Sequence, residues 1–189
     1  MSQGSEPIAD WRVRELVDRM RRPRYRCGGG VAAALVLAQA AALVDLVRRA
    51  SNRFLEPAFS EELGTSLSES IERALQQAER DRTALDRLLA TLRDGAPSVP
   101  APIVEEATAV PLRTADLGLE LLDKIDRLAP SVPKFAASDL EAATALCRAA
   151  IRASLAMAKA NLPLLAPDRA RALADEIHTR LSRLGSNNY

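Results

Sequence analysis

The sequence predicts an all-α fold, an antiparallel bundle of about six helices around a central Ala-rich buried helix, and three observations support that prediction. Alanine (35) and leucine (28) make up one third of the 189 residues, while aromatic residues contribute 3% and there are 8 glycines. That balance favours helices over sheets. Pro, Gly and Ser punctuation divides the chain into about six stretches with short connections, as in a helical bundle, and no strand-like alternation competes with it. The length and 48% hydrophobic content suit one domain, residues 1–189, with a sizeable core.

The elements follow in order. Ile8 to Arg22 places Ile8, Trp11, Leu16, Val17 and Met20 near one side and breaks at Pro23 in the basic stretch RRPRYR. Gly30 to about Arg53 is apolar nearly all round until Arg48 and Arg49, the pattern of a helix contacted on every side. A third helix runs from Ser60, a plausible N-cap followed by Glu61 and Glu62, to Arg93, where Asp94-Gly95 ends it. Its apolar stripe is Leu67, Ile71, Leu75, Ala78, Leu85, Leu88 and Leu92. The segment APSVPAP, residues 96–102, reads as an extended connection. Ile103 to Ala129 carries Pro111, which predicts a kink or break because proline removes a helix hydrogen bond. Ser138 to about Leu162 is another Ala-rich helix, stopped by Pro163 and Pro167, and the last helix runs from Pro167 to Gly185 before the tail SNNY.

Several function classes recede on composition. With 26 Lys+Arg against 25 Asp+Glu, the formal charge of +1 lacks the electrostatic footprint of a nucleic-acid binder. Cys27, Cys147 and the lone His178 have no metal-like spacing, so neither a metal site nor a disulfide framework is expected. The start MSQGSEPIADWRV has no basic, apolar signal pattern, which makes a cytoplasmic location the expectation. Val31 to Val47, interrupted by Gln39 and Asp45 and mostly alanine, reads as a bundle helix and not as a membrane span.

A few positions could carry chemistry. Gly28-Gly29-Gly30 just before a buried helix leaves backbone N–H groups approachable, either as a ligand cradle or as a turn that lets the chain enter the bundle. Its spacing matches neither a P-loop nor a dinucleotide fingerprint. Ser138 and Glu141 fit a capping box with Asp139 in the first turn, a structural explanation for all three. Asp45 has Arg48 and Arg49 at i+3 and i+4 and reads as a satisfied ion pair. Arg80, Asp81, Arg82, Asp86 and Arg87 read as a solvated face, and His178 as peripheral.

Taken together, GGGVAAALVLAQAAALVDLVRRAS, EEATAVPLRTADLGLELLD and AASDLEAATALCRAAIRASLAMAKANLPLL resemble the folate-dependent cyclodeaminase/cyclohydrolase family from about Tyr25 to Leu165. The resemblance implies a small all-helical protein that acts as a homodimer and takes a tetrahydrofolate derivative as substrate in a cleft between helices. Gly28, Gly29 and Gly30 match the family's glycine turn, Asp139 and Ser138 its Ser-Asp motif, Asn161 its late asparagine, and Asp81 half of an aspartate–aromatic motif whose second member is here Leu85. The departures are Cys27 for a proline before the glycines, Val31 for a small polar residue, and Met157 for an asparagine. Ser51-Asn52-Arg53-Phe54-Leu55-Glu56-Pro57 also replaces a lysine-rich stretch that supplies a catalytic lysine.

On this reading Asp139 and Asp81 are the catalytic candidates. A carboxylate can accept hydrogen bonds from a pterin edge and favour a cationic one-carbon bridge. Gly28, Gly29, Gly30, Ser138, Asn161 and Arg53 are the substrate-binding candidates, with Arg24, Arg26 and Arg53 available to an anionic glutamyl tail. Arginine stays charged and does not replace a lysine base. The expected activity is that of a methenyltetrahydrofolate cyclohydrolase. The alternatives are a relative that kept the bundle and lost catalysis, serving as a binding or scaffold subunit, and a cyclodeaminase-like enzyme with a changed substrate. The reading requires an open cavity beside the triglycine bend, which Val31, Phe54 or Met157 could plug.

Overall fold

The computed structural model describes residues 6–25, 27–93 and 99–186. Among them are six α-helices: α1 (Val13–Met20), α2 (Gly29–Ala50), α3 (Pro57–Arg93), α4 (Ala101–Leu128), α5 (Ala137–Asn161) and α6 (Pro167–Ser186). Short 3-10 turns lie between α1 and α2, α2 and α3, α4 and α5, and α5 and α6, and no strand occurs among the described residues. Helices α2 to α5 form an up-down-up-down bundle in which α2 packs on α3 and α5, and α4 packs on the other side of the same pair. Helix α6 lies against α5 and α4, and the N-terminal turn Ile8–Asp10 packs on α3.

The core is built from Leu37, Val44, Leu63, Leu67, Leu121, Leu128, Ile151 and Leu155, all almost wholly buried, with alanines letting the backbones close up. Gly118 marks one close approach: a β-carbon there would stand 2.4 Å from Ile151 Cγ1. Cys147 seals the same α4–α5 contact by donating its thiol to the Gly118 carbonyl at 3.2 Å, and burial pushes that thiol up to about 12. At the far end of α2, Asp45 accepts from Arg48 Nε and Arg49 Nε at 2.7 Å each. Burial opposes its ionisation, but the two guanidinium groups outweigh that and hold its carboxyl below the usual range.

Several boundaries differ from the sequence reading. The first segment is a 3-10 turn, Ile8–Asp10, and then α1. Ile8 and Trp11 are buried, whereas Val17 and Met20 face outward. Helix α3 begins at Pro57, one turn before Ser60, because proline is favoured in a first turn where its missing N–H costs nothing. Ser60 is therefore a buried helix residue whose hydroxyl donates to Asn52 Oδ1 and accepts from Arg48. Helix α4 already includes Ala101 and Pro102, and it continues through Pro111 without a break. Pro111 is buried, and the packing of α4 on both α3 and α5 outweighs the lost ladder bond. Helix α5 is capped at Ala136 with no side-chain cap, so Ser138 lies inside the helix and forms no capping box. Arg26, residues 94–98 and residues 187–189 lie outside the described residues.

Helix α2 is also less enclosed than its composition predicts. Its mean hydropathy of 2.1 over an 18-residue window and its length would suffice to cross a membrane, and 56% of that window is buried in the bundle. Gln39, Ala42 and Leu46 form an outward stripe, with Leu46 51% exposed.

Candidate functional site

The up-down topology brings the start of α2, the second half of α3, the start of α4 and the end of α5 to one end of the bundle. There they enclose a cavity of about 110 Å³ lined by Gly28, Gly29, Gly30, Asp81, Ala84, Leu85, Leu88, Ala107, Met157, Ala160 and Asn161. Its wall is mainly apolar, and its polar groups are the α2 N-terminus, one carboxyl and one carboxamide.

The glycines are there for proximity. Gly28 has an extended backbone, φ −87° and ψ −163°, which any residue can adopt. The requirement is steric and grows along the run. A β-carbon on Gly28 would meet Leu85 Cδ2 at an ordinary 3.4 Å, and one on Gly29 would crowd Met157 Sδ at 3.0 Å. On Gly30 it would overlap Asp81 Oδ1 at 2.1 Å. Only glycine lets the Asp81 carboxyl sit against the first turn of α2.

Asp81 accepts the backbone N–H of Val31, the third residue of α2. It thus caps α2 from a neighbouring helix, since Gly28, at the N-cap, offers no side chain. The first intrahelical bond is Ala32 N–H to the Gly28 carbonyl at 3.1 Å, so Gly29 and Gly30 keep N–H groups with no partner inside the helix. Desolvation is the dominant influence on the Asp81 carboxyl and raises it from 3.8 to about 6, against the opposing pull of the Val31 N–H. The result is a carboxyl that changes charge near neutrality, placed against a helix N-terminus. The solvated face read from the sequence holds for Arg80, Asp86 and Arg87, which are exposed, but Arg82 is half-buried and pairs with Glu79 at 2.7 Å, and Asp81 turns into the bundle because Gly30 leaves room for it.

Asn161, the last residue of α5, donates Nδ2 to the carbonyl of Ala107 on α4 at 2.9 Å. Ala107 was not among the sequence candidates, nor were Ala84, Leu88 and Ala160. Alanine and leucine in a bundle carry no signal that separates a cavity wall from the core.

The structure therefore divides the residues picked from the sequence. Gly28, Gly29, Gly30, Asp81 and Asn161 surround one cavity. Ser138 and Asp139 are exposed in the first turn of α5, about 33–35 Å from Asn161 at its other end at ~1.5 Å per residue. Arg53 is exposed beyond the C-terminus of α2, its guanidinium 4.6 Å from the Phe54 ring centre. It too lies at the opposite end of the bundle, and Phe54, 50% exposed, plugs nothing there. Arg24 is exposed and engaged with Tyr25. Of the three side chains that could fill the cavity, Val31 is fully buried in a separate cluster with Ile8, Trp11 and Cys27, and Met157 is the one that narrows the cavity. Among the described residues there is no group of three or more His, Cys, Asp or Glu side chains able to hold a metal ion.

Fold and site together define a class: an all-helical bundle in which a glycine-rich helix start meets an inward-facing carboxyl from the next helix. The family model for formiminotransferase-cyclodeaminase matches residues 12–182, and the chain belongs to that family. In fold the chain is similar to the crystal structure of formiminotetrahydrofolate cyclodeaminase from Thermotoga maritima. The TM-score is 0.85 at 20% identity, covering 95% of this chain and 92% of that one. No curated protein sequence matches significantly.

Proposed function

We propose that the chain is a folate enzyme of the methenyltetrahydrofolate cyclohydrolase type, acting on the one-carbon bridge of a tetrahydrofolate at the cavity beside Gly28–Gly30. Family membership and a relative named for acting on formiminotetrahydrofolate support the substrate class. The observation that carries the chemistry is Asp81, a carboxyl raised to about 6 on the cavity wall, where a group can serve as both general base and general acid near neutral pH.

In this mechanism the ionised Asp81 favours the cationic methenyl bridge and takes a proton from water as the water oxygen bonds to the bridge carbon. The neutral acid then returns the proton to the ring nitrogen as its bond to that carbon breaks, and the hydroxyl left on the carbon gives up its proton to solvent as the formyl C=O forms on the other nitrogen. Asn161 addresses the pterin edge. Asp139, the first catalytic candidate from the sequence, has no part in this step because of its distance from the cavity. A cavity of about 110 Å³ is smaller than the ~300–1,000 Å³ typical of ligand sites, so it receives one edge of the pterin while the glutamyl tail lies outside. Met157 must swing aside, a movement its three rotatable bonds allow. The outward α2 stripe of Gln39, Ala42 and Leu46 is the proposed contact for a homodimer.

A second reading, a family relative that has lost catalysis, is favoured by the Met157 sulfur lying over Gly29. Following the methenyltetrahydrofolate chromophore decides between them. Loss faster than background, abolished by Asp81→Asn, supports the enzyme. Background-rate decay together with no thermal stabilisation by folates supports the non-catalytic relative.

A further inference from the structure

We propose that Pro111 is a positioning residue for Asn161. In a regular α-helix the N–H of residue 111 would bond to the carbonyl of residue 107, four positions earlier. Proline has no N–H, and its ring crowds that carbonyl and turns it out of the ladder. Helix α4 nevertheless continues through Pro111, so the Ala107 carbonyl is released inside the protein, at a residue only 9% exposed. Asn161 Nδ2 lies 2.9 Å from that oxygen.

Chemistry then fixes which way the carboxamide faces. Nitrogen and oxygen of an amide look alike in shape, but only the nitrogen can donate to a carbonyl, so the contact with Ala107 commits Nδ2. Asn161 therefore turns its Oδ1, an acceptor, away from α4. A bond from residue 111 to Ala107 would satisfy that carbonyl without Asn161 and weaken the hold on the carboxamide, which could then rotate and exchange acceptor for donor at the cavity wall. Buried hydroxyls reinforce the arrangement on either side: Thr108 Oγ1 donates to the Val104 carbonyl at 2.7 Å and Thr114 Oγ1 to that of Val110 at 3.2 Å. Such back-bonds let a helix bend slightly, which suits α4 on either side of the gap. A residue in the middle of α4 thus sets the orientation of a cavity residue at the end of α5. Where this bears on ligand recognition it rests on the folate reading; the coupling between residues 111 and 161 does not.

The test is a double-mutant cycle on the ligand-free protein, with Asn161→Ala and Pro111→Ala alone and combined. In the native background Asn161→Ala orphans a buried carbonyl and should lower Tm by about 3–8 °C. In the Pro111→Ala background the new N–H of residue 111 takes the carbonyl, and the same substitution should lower Tm by less than about 2 °C. The Asn161 side-chain NH2 protons, followed by 15N NMR, should exchange slowly in the native chain and at least about tenfold faster in Pro111→Ala. Equal Tm losses in both backgrounds, or NH2 exchange unchanged by Pro111→Ala, would overturn the proposal. If Pro111→Ala does not fold, Pro111→Ser supplies the same N–H and decides the question. Coupling without any folate effect would uphold the positioning role and refute the folate reading alone.

Discussion

Replacing Asp81 with asparagine should make the protein more stable at neutral pH and, on the proposed mechanism, inactive. The carboxyl is raised from 3.8 to about 6 because burial penalises its charged form more than the Val31 N–H favours it. At ~1.4 kcal/mol per pH unit, that displacement is a preference of about 3 kcal/mol for the neutral form within the fold. Between pH 3.8 and about 6 the folded protein keeps a proton that the unfolded chain has released. The contribution of Asp81 to stability therefore falls as pH rises through that window and is flat above it. Asparagine keeps an oxygen for the Val31 N–H and cannot ionise, so it removes the penalty at pH 7.5 and changes little at pH 4. For a chain of this size ~1 kcal/mol is worth about 2–4 °C, which gives an expected gain of about 6–12 °C at pH 7.5. Thermal unfolding of both proteins from pH 4 to 8 is the assay. A Tm difference that does not grow with pH, or a loss of stability at pH 7.5, would refute the account of Asp81 as a carboxyl held against its own desolvation.

Gly30→Ala should cost about 1–3 kcal/mol by overpacking against Asp81, measurable by denaturant unfolding, although the same change on an open helix face gains about 1 kcal/mol. Met157→Ala should cost less than the ~2–5 kcal/mol of a fully buried methionine, since Met157 is 37% exposed; by clearing Gly29 it should also raise folate affinity in a thermal-shift titration. Asp139→Ala should change stability by no more than about 1 kcal/mol, the scale of a first-turn charge on the helix dipole, and leave turnover of methenyltetrahydrofolate unchanged.

The fold was legible in the sequence because its causes are repetitive. Alanine and leucine at helical spacing, interrupted by prolines, specify helices whatever packs on them, and the Asp45–Arg48–Arg49 cluster could be read because it lies on one helix. The ends were less legible. Ser60 and Ser138 both look like caps, yet Pro57 starts one helix a turn earlier and Ala136 caps the other. Local capping chemistry lost to the tertiary contacts that decide where the chain turns. Of the kink or break expected at Pro111, the break does not occur for the same reason: it presumes a helix with no other support, while α4 is packed on both sides.

The site was legible as a set of residues but not as a place. Periodicity tells which face of a helix a residue occupies and is silent on which end of the bundle it reaches. The missing step is topological. When four long helices alternate in direction, the starts of the first and third share an end with the finishes of the second and fourth. That rule, applied to the sequence, groups Gly28–Gly30, Asp81, Pro111 and Asn161, and it sends Arg53, Ser138 and Asp139 to the opposite end. It also explains why the tolerance of the glycines differs along the run. Only Gly30 faces a charged group from the next helix at contact distance, so the chemistry at this end depends on one close approach between α2 and α3, and the other glycines are freer to vary.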